Sequence, residues 1–275
     1  MSSIINFIKE SLEKIGGAPN EVLGQNFLIN PDIYNDLIKT AEIEPGQKII
    51  EIGPGLGTIT EKLAEAGAEV IGVEKDPRLA DFLKSQFRAK EKIRIETADI
   101  LEYQPAKEFT DGGYSVIGNI PYYLTSFLLR TILEDWPVPE KVILIIQKEV
   151  AQRIKAEPPK SNLLATSIKY FAEARIIKII KRDNFWPKPK VDSALILIRP
   201  TINRSRRERE QFFKVARAGF SQKRKQLINN LTSLGLTKIQ TKKFLKLSDI
   251  EPQRRAETLT IHEWETLTKN ISSQF

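Results

Sequence analysis

The sequence contains no cysteine and a single histidine, His262. The first absence excludes disulfides, thiolate nucleophiles and zinc–thiolate sites, and it suits a reducing compartment such as the cytoplasm. The second excludes a paired-histidine metal site and a Ser–His–Asp triad within the chain. No apolar run approaches the length needed to cross a bilayer. The N-terminal stretch MSSIINFIKESLEKIGG has neither a basic leader nor an uninterrupted apolar block. Its Ile4, Ile5, Ile8, Leu12 and Ile15 recur at helical spacing with charges between them. Residues 1–20 therefore read as an amphipathic helix and not as a signal peptide. Any chemistry must run on carboxylates, amides, aromatic rings, lysines or a bound cofactor.

What is present is a globular composition, 41% hydrophobic and 28% charged over 275 residues. The charge is unevenly placed. Residues 200–275 hold 16 Lys/Arg against 7 Asp/Glu, whereas the first 199 residues hold 27 against 28. The basic excess thus belongs to the last quarter, which suggests a polyanionic partner for that region. A solvated helical face has the same composition.

The middle of the chain alternates two patterns. KIIEIG (48–53), EVIGVE (69–74), IRIETAD (93–99), YSVIGN (114–119) and KVILIIQ (141–147) are short, nearly continuous apolar runs ending in Gly, Asp, Glu, Asn or Gln. TITEKLAEAG, PRLADFLKSQF and SFLLRTILEDW lie between them with helical spacing. Repeated strand–helix units of this kind predict a parallel sheet covered on both faces. EVAQRIKA and SNLLATSIKYFAEA then read as helices, and RIIKIIKR and SALILIRP as two further strands, seven in all. Beyond Pro200 comes a charged connector, TINRSRRERE, and then only helical patterns: QFFKVARAGF, KRKQLINNLTSLG, TKKFLKL and IHEWETLTKN. A domain boundary is expected near residue 200, with a small all-helical domain at 201–275.

EIGPGLGTIT (51–60) is a strand, a glycine-rich turn and a helix start. Gly53, Gly55 and Gly57 permit a tight turn and close approach of a ligand. The spacing is neither that of a dinucleotide loop nor that of a P-loop, and a ligand-free turn has the same pattern. Glu74 ends the second strand, where a carboxylate suits the hydroxyls of an adenosine ribose. Asp99 ends the third, where a carboxylate can accept from an adenine amino group. A glycine-rich turn flanked by carboxylates such as Glu51 suits a cofactor carrying a sulfonium and an ammonium better than one carrying phosphates. S-adenosyl-L-methionine is the expected cofactor.

The fourth strand runs into GNIPYY (118–123). The Asn119 side-chain oxygen and the adjoining backbone carbonyl are two acceptors, held in fixed relation because Pro121 stiffens the segment. Aimed at one exocyclic NH₂, they would turn that nitrogen toward tetrahedral geometry and free its lone pair. Tyr122 could stack on the base. The pattern points to methylation of an adenine amino group, driven mainly by positioning and without a strong general base. A plain Asn–Xaa–Pro turn with core tyrosines is the bland alternative.

GQNFL (24–28), EIGPGLG (51–57), GNIPYY (118–123), QKEVAQR (147–153), FWPKPKVDSA (185–194), FSQKRKQL (220–227) and RAETL (255–259) follow one another in the order found in the ribosomal RNA adenine N6-dimethyltransferases. The resemblance covers roughly residues 20–270 and is strongest to the small-subunit branch. It implies a Rossmann-like class I methyltransferase domain at 1–200, with a seven-stranded, mainly parallel sheet, followed by a helical RNA-binding domain. It implies dimethylation of two neighbouring adenosines in the 3′-terminal hairpin loop of small-subunit RNA by a cytoplasmic monomer acting on a pre-30S particle. By motif, Gln25, Asn26 and Leu28 would line the methionine end of the cofactor. Gly53, with Gly55 and Glu51 in the same motif, Glu74 and Asp99 would hold the rest. Asn119, Ile120, Pro121 and Tyr122 would grip the target base, and Phe185 would close its other face. Arg217, Lys223, Arg224 and Lys225 would approach RNA phosphates. The stretch before GQNFL, GGAPNEVL, lacks the basic residues usual in the family, and the loop AEPPKSNLL departs from its pattern. The alternatives are a large-subunit methylase of the erythromycin-resistance type, a DNA adenine methylase and a non-catalytic assembly factor.

Overall fold

The computed structural model describes residues 2–20, 22–110, 113–201 and 204–273. Two residues of the charged connector, 202 and 203, and one of the GGAPNEVL stretch, 21, lie outside the described residues. The strands are β1 (Phe27–Leu28), β2 (Lys48–Ile52), β3 (Glu69–Glu74), β4 (Ile93–Thr97), β5 (Tyr114–Asn119), β6 (Lys141–Gln147), β7 (Ala172–Ile180), β8 (Phe185–Trp186) and β9 (Ser193–Pro200). Seven of them form one sheet in the order β4-β3-β2-β5-β6-β9-β7. The pairings among β4, β3, β2, β5 and β6 are parallel, and β9 joins β6 antiparallel. The apolar runs predict a parallel sheet; five strands form one, and the antiparallel β9 makes the whole mainly parallel, as the resemblance implies. Its central strands are buried on both faces: every residue of β6 from Val142 to Ile146 is inaccessible to solvent.

The chain divides into two compact units. The first comprises residues 1–132, 136–151 and 175–199. The second comprises 133–135, 152–174 and 200–275. In the first unit, α1 (Ser2–Lys14) buries Ile8 and Leu12 against Ile29, Leu56 and Leu79. Its apolar stripe therefore belongs to the core of that unit. Helices α2 (Pro31–Ala41), α3 (Thr58–Glu65), α4 (Pro77–Gln86) and α5 (Thr125–Glu134) follow strands or turns. Asn30 and Asp76 cap α2 and α4 by accepting from Asp32 N and Arg78 N, each with proline at the first helical position.

In the second unit, α6 (Lys148–Ile154) contributes its end and α7 (Leu163–Phe171) lies whole, with α8 (Arg206–Phe220), α9 (Leu227–Asn230), α10 (Lys238–Leu247) and α11 (Ile261–Ser272). Its core is aromatic. Tyr170 stacks on Phe212 with ring centroids 3.6 Å apart, and Phe171 and Phe213 pack beside them. Capping boxes start α8, α10 and α11 at Ser205/Glu208, Thr237/Gln240 and Thr260/Glu263.

Two segments differ from the expected pattern. Helix α7 stops at Phe171, and Ala172 is already extended, so the FAEA stretch opens the strand β7. KRKQLINNLTSLG is not one helix. Lys223, Arg224 and Lys225 lie in the loop between α8 and α9. The buried Asn230 holds that loop by donating to the carbonyls of Gly219 (2.6 Å) and Gln222 (3.1 Å). A side chain thus takes over carbonyls that a continued helix would have used.

Candidate active site

One cavity lies at the carboxyl ends of the parallel strands of the first unit, where such sheets ordinarily receive ligands. Five segments of chain supply most of its wall. The glycine-rich turn after β2 brings Gly53 and Gly55; the ends of β3 and β4 bring Glu74 and Asp99; β5 brings Asn119 to Tyr123; and Gln25 to Leu28 come from the segment that holds β1. Phe185 completes it. Leu28 and Phe185 are cross-strand partners in the small antiparallel pair β1–β8, which joins the GQNFL and FWPKPKVDSA segments.

The glycines of the turn divide their tasks. Gly53 has φ +63°, and a β-carbon there would meet nothing within 4 Å, so its backbone faces open cavity. Gly57 has φ +82°, and a β-carbon there would strike Leu83 at 2.7 Å. Its role is the packing of α3 against α4. Gly55 sits close to the Phe27 ring and donates its N–H to Glu74 Oε2 at 3.0 Å.

Glu74 is buried, and its other oxygen accepts from Asp76 N at 2.9 Å. Burial pushes its carboxyl up, against these two backbone donors. Each oxygen keeps a lone pair for a further donor in the cavity. Asp99 accepts from Leu101 N at 3.0 Å through Oδ1 and from Lys75 Nζ at 2.6 Å through Oδ2. Partial burial raises the Asp99 carboxyl, but the Lys75 bond and the Leu101 N–H outweigh it and hold it below the usual carboxylate range. Lys75 also lines the cavity, and nothing in the sequence pattern singled it out.

Glu51 occupies a different place from the one its motif suggests. It is 1% exposed and is not on the cavity wall. Neither carboxylate oxygen has a hydrogen-bond partner among the described residues, although the Thr60 hydroxyl is near. Burial drives its carboxyl up to about 8, so it is held neutral at pH 7.

The Asn119 amide is oriented by a bond from its Nδ2 to the backbone carbonyl of Asn26, 2.9 Å long. Spending the NH₂ there leaves Oδ1 as the free end of the amide, the acceptor end. Among the described residues no hydrogen bond engages the Ile120 carbonyl, whereas the Pro121 carbonyl accepts from Leu124 N. Tyr122 is half-buried, and its hydroxyl meets Ser193 Oγ at 2.9 Å. Ser193 is fully buried at the start of β9 and fixes the tyrosine ring by its far end. Its contribution had no signal in the sequence beyond its place in the FWPKPKVDSA motif. Phe185 is 3% exposed and packs in the main core with Leu28, Tyr34 and Leu37.

The residues expected to meet RNA phosphates lie in the second unit. Lys223, Arg224 and Lys225 are exposed. Arg217 is committed elsewhere: its guanidinium pairs with Glu134 and lies 5.5 Å from the Phe213 ring centroid. That ion pair neutralises the charge that a phosphate would need.

The cavity suits a nucleoside cofactor with a cationic amino-acid end. An open glycine backbone, two carboxylates at neighbouring strand ends and an apolar interior meet the donors of an adenosine and leave no cluster of cations for a pyrophosphate. The sequence model of the family "Ribosomal RNA adenine dimethylase" matches residues 18–273. The chain is 37% identical over 270 residues to "Ribosomal RNA small subunit methyltransferase A" of Dehalococcoides mccartyi, covering 96% of this chain and 92% of that protein. It is likewise 37% identical over 276 residues to the protein of that name from Geobacillus sp., covering 96% and 95%. Among solved structures, a dimethyladenosine transferase from Plasmodium falciparum matches with a TM-score of 0.75 at 22% identity, covering 90% of this chain and 98% of that one. The 23S rRNA methyltransferase ErmE matches with a TM-score of 0.69 at 24% identity, covering 90% and 100%. At those identities the two structures share the fold.

Proposed function

On the premise that this chain belongs to the ribosomal RNA adenine dimethylase family, we propose that it N6,N6-dimethylates two adjacent adenosines in the 3′-terminal hairpin loop of small-subunit ribosomal RNA. It is an S-adenosylmethionine-dependent methyltransferase of ribosomal RNA. The curated relatives reported above carry the small-subunit name, which favours that branch over the large-subunit one. The reading extends to a monomeric enzyme working in the cytoplasm on a small-subunit precursor. Among the described residues no helix is long and apolar enough to cross a membrane.

The observation that carries the chemistry is the oriented Asn119 amide. Its Oδ1 and the Ile120 carbonyl accept the two protons of an adenine N6 amino group for the first transfer, and one of them accepts the remaining N6 proton for the second. Gripped in this way, the nitrogen pyramidalises and its lone pair leaves conjugation with the ring. Tyr122, braced by Ser193, stacks on one face of the base, and Phe185 bounds the other side. Gly53, Glu74 and Asp99 hold the cofactor, with Gln25, Asn26 and Leu28 at its methionine end. When bound, S-adenosylmethionine supplies an electrophilic methyl group on its sulfonium. The proton displaced from N6 passes to water, so no histidine is required. Rate enhancement then comes from orientation and desolvation inside the cavity.

The test is methyl transfer from labelled S-adenosylmethionine to purified small and large ribosomal subunits that lack the modification, followed by nucleoside analysis. Dimethyladenosine confined to the small subunit is expected. Label on the large subunit would overturn the branch, and label on neither would overturn the enzyme reading.

A further inference from the structure

Three exposed side chains, one on the cavity wall and two on the helix that follows it, are not used by the chemistry above. Tyr123 lines the cavity mouth yet is 63% exposed. One edge of its ring lies near Gly24, where a β-carbon would come within 3.8 Å of it. Phe127, in the first turn of α5, is 48% exposed. Arg130, three residues on and on the same face of that helix, places its guanidinium 5.0 Å from the Phe127 ring centroid. The opposite face of α5 is spent on the core through Leu128, Leu129 and Ile132. Four residue steps lead from Tyr123 to Phe127, so their α-carbons are at most about 14 Å apart.

Large aromatic rings left in water cost stability and need a reason. Two exposed rings, one on the cavity wall and the other carrying a guanidinium, match the stacking surfaces that hold single-stranded nucleic acid. We infer that Tyr123, Phe127 and Arg130 receive the unpaired base next to the target adenosine in the same RNA strand. The occupant follows from continuity. Tyr122, which stacks on the target base, is the chain neighbour of Tyr123, so a strand that delivers one base to the cavity must pass its next base over this surface. Stacking tolerates any base, because every base has a π-face. This inference rests on the ribosomal RNA reading and extends it from the target base to its neighbour.

The test uses the full-length protein and small ribosomal subunits lacking the modification. Tyr123→Ala and Phe127→Ala should each raise KM for the subunit by about tenfold, the size of one lost stacking contact. Tyr123→Phe and Phe127→Tyr should restore it. Cofactor affinity by calorimetry and the thermal midpoint should stay unchanged in Phe127→Ala, whose side chain is exposed and off the cavity wall. The aromatic variants should leave the salt dependence of binding unchanged, since stacking releases no counterions. KM values for both alanine variants within twofold of wild type, in an enzyme that does methylate small subunits, would overturn the inference and leave the functional reading standing. A wild-type protein that methylates no ribosomal RNA would overturn the functional reading, and this inference with it.

Discussion

The side-chain amide of Asn119 donates to the backbone carbonyl of Asn26 across 2.9 Å, joining the fourth parallel strand to the segment that precedes α2. The bond sets which end of the amide meets a ligand. Asn119→Asp keeps an oxygen at that position but loses the donor and sets a charge against the Asn26 carbonyl. It is therefore expected to lose methyl transfer by about a hundredfold, as when a preorganised polar contact is removed. Retention of more than a tenth of the activity in steady-state assays would show that the orienting bond is dispensable.

Tyr122 separates ring from hydroxyl. Tyr122→Phe and Ser193→Ala each remove the bond between the two hydroxyls and retain the ring, at a cost of about 1 kcal/mol in stability. Tyr122→Ala removes the ring, and KM for the RNA substrate should rise by about tenfold or more. Equal KM values for the phenylalanine and alanine variants would argue against stacking.

Asp99 already accepts from Lys75 and Leu101 N. Asp99→Ala should weaken S-adenosylmethionine binding by about tenfold to a hundredfold, the worth of a hydrogen bond to a charged group. Calorimetry measures this without RNA. Unchanged affinity would remove Asp99 from the cofactor site.

Glu51 makes stability depend on pH. Its carboxyl titrates near 8 when folded and in the ordinary carboxylate range when unfolded. The folded state therefore binds the extra proton, and stability falls as pH rises from the ordinary range through about 8. Glu51→Gln imitates the neutral carboxyl at every pH. Between pH 6 and pH 9 the wild type should lose at least about 3 °C more in thermal midpoint than the variant. Parallel curves would mean that Glu51 is already ionised at pH 7.

Replacing Lys223, Arg224 and Lys225 together by alanine should weaken binding to small subunits and flatten the log–log salt slope by about 2. Adding Arg217→Ala should change that slope little, because Arg217 is paired with Glu134. A further drop of a full phosphate contact would show that the pair opens on binding.

Much of this was legible in the residues because the central strands β5 and β6 are buried on both faces and so read as unbroken apolar runs. The middle of the main sheet and the cavity at the carboxyl ends of its parallel strands follow from that. What stayed hidden depends on tertiary partners. The KRK stretch has good helix formers, and the loop exists because Asn230 reaches back to Gly219 and Gln222. The β1–β8 pair consists of two-residue strands too short to show a period, yet it sets Phe185 beside Leu28. Lys75 and Ser193 carry no pattern of their own; each matters through the partner that folding brings to it. Glu51 has a cofactor ligand's place in its motif, and only the three-dimensional arrangement shows it buried off the cavity wall.

The most direct measurement compares wild type with Asn119→Ala in single turnover on unmodified small subunits, with cofactor binding followed in parallel by calorimetry. The account predicts dimethyladenosine from the wild type and, from the variant, a rate at least about a hundredfold lower, with cofactor affinity within a few-fold. Undiminished transfer by Asn119→Ala would contradict the amino-group grip on which the proposed chemistry stands.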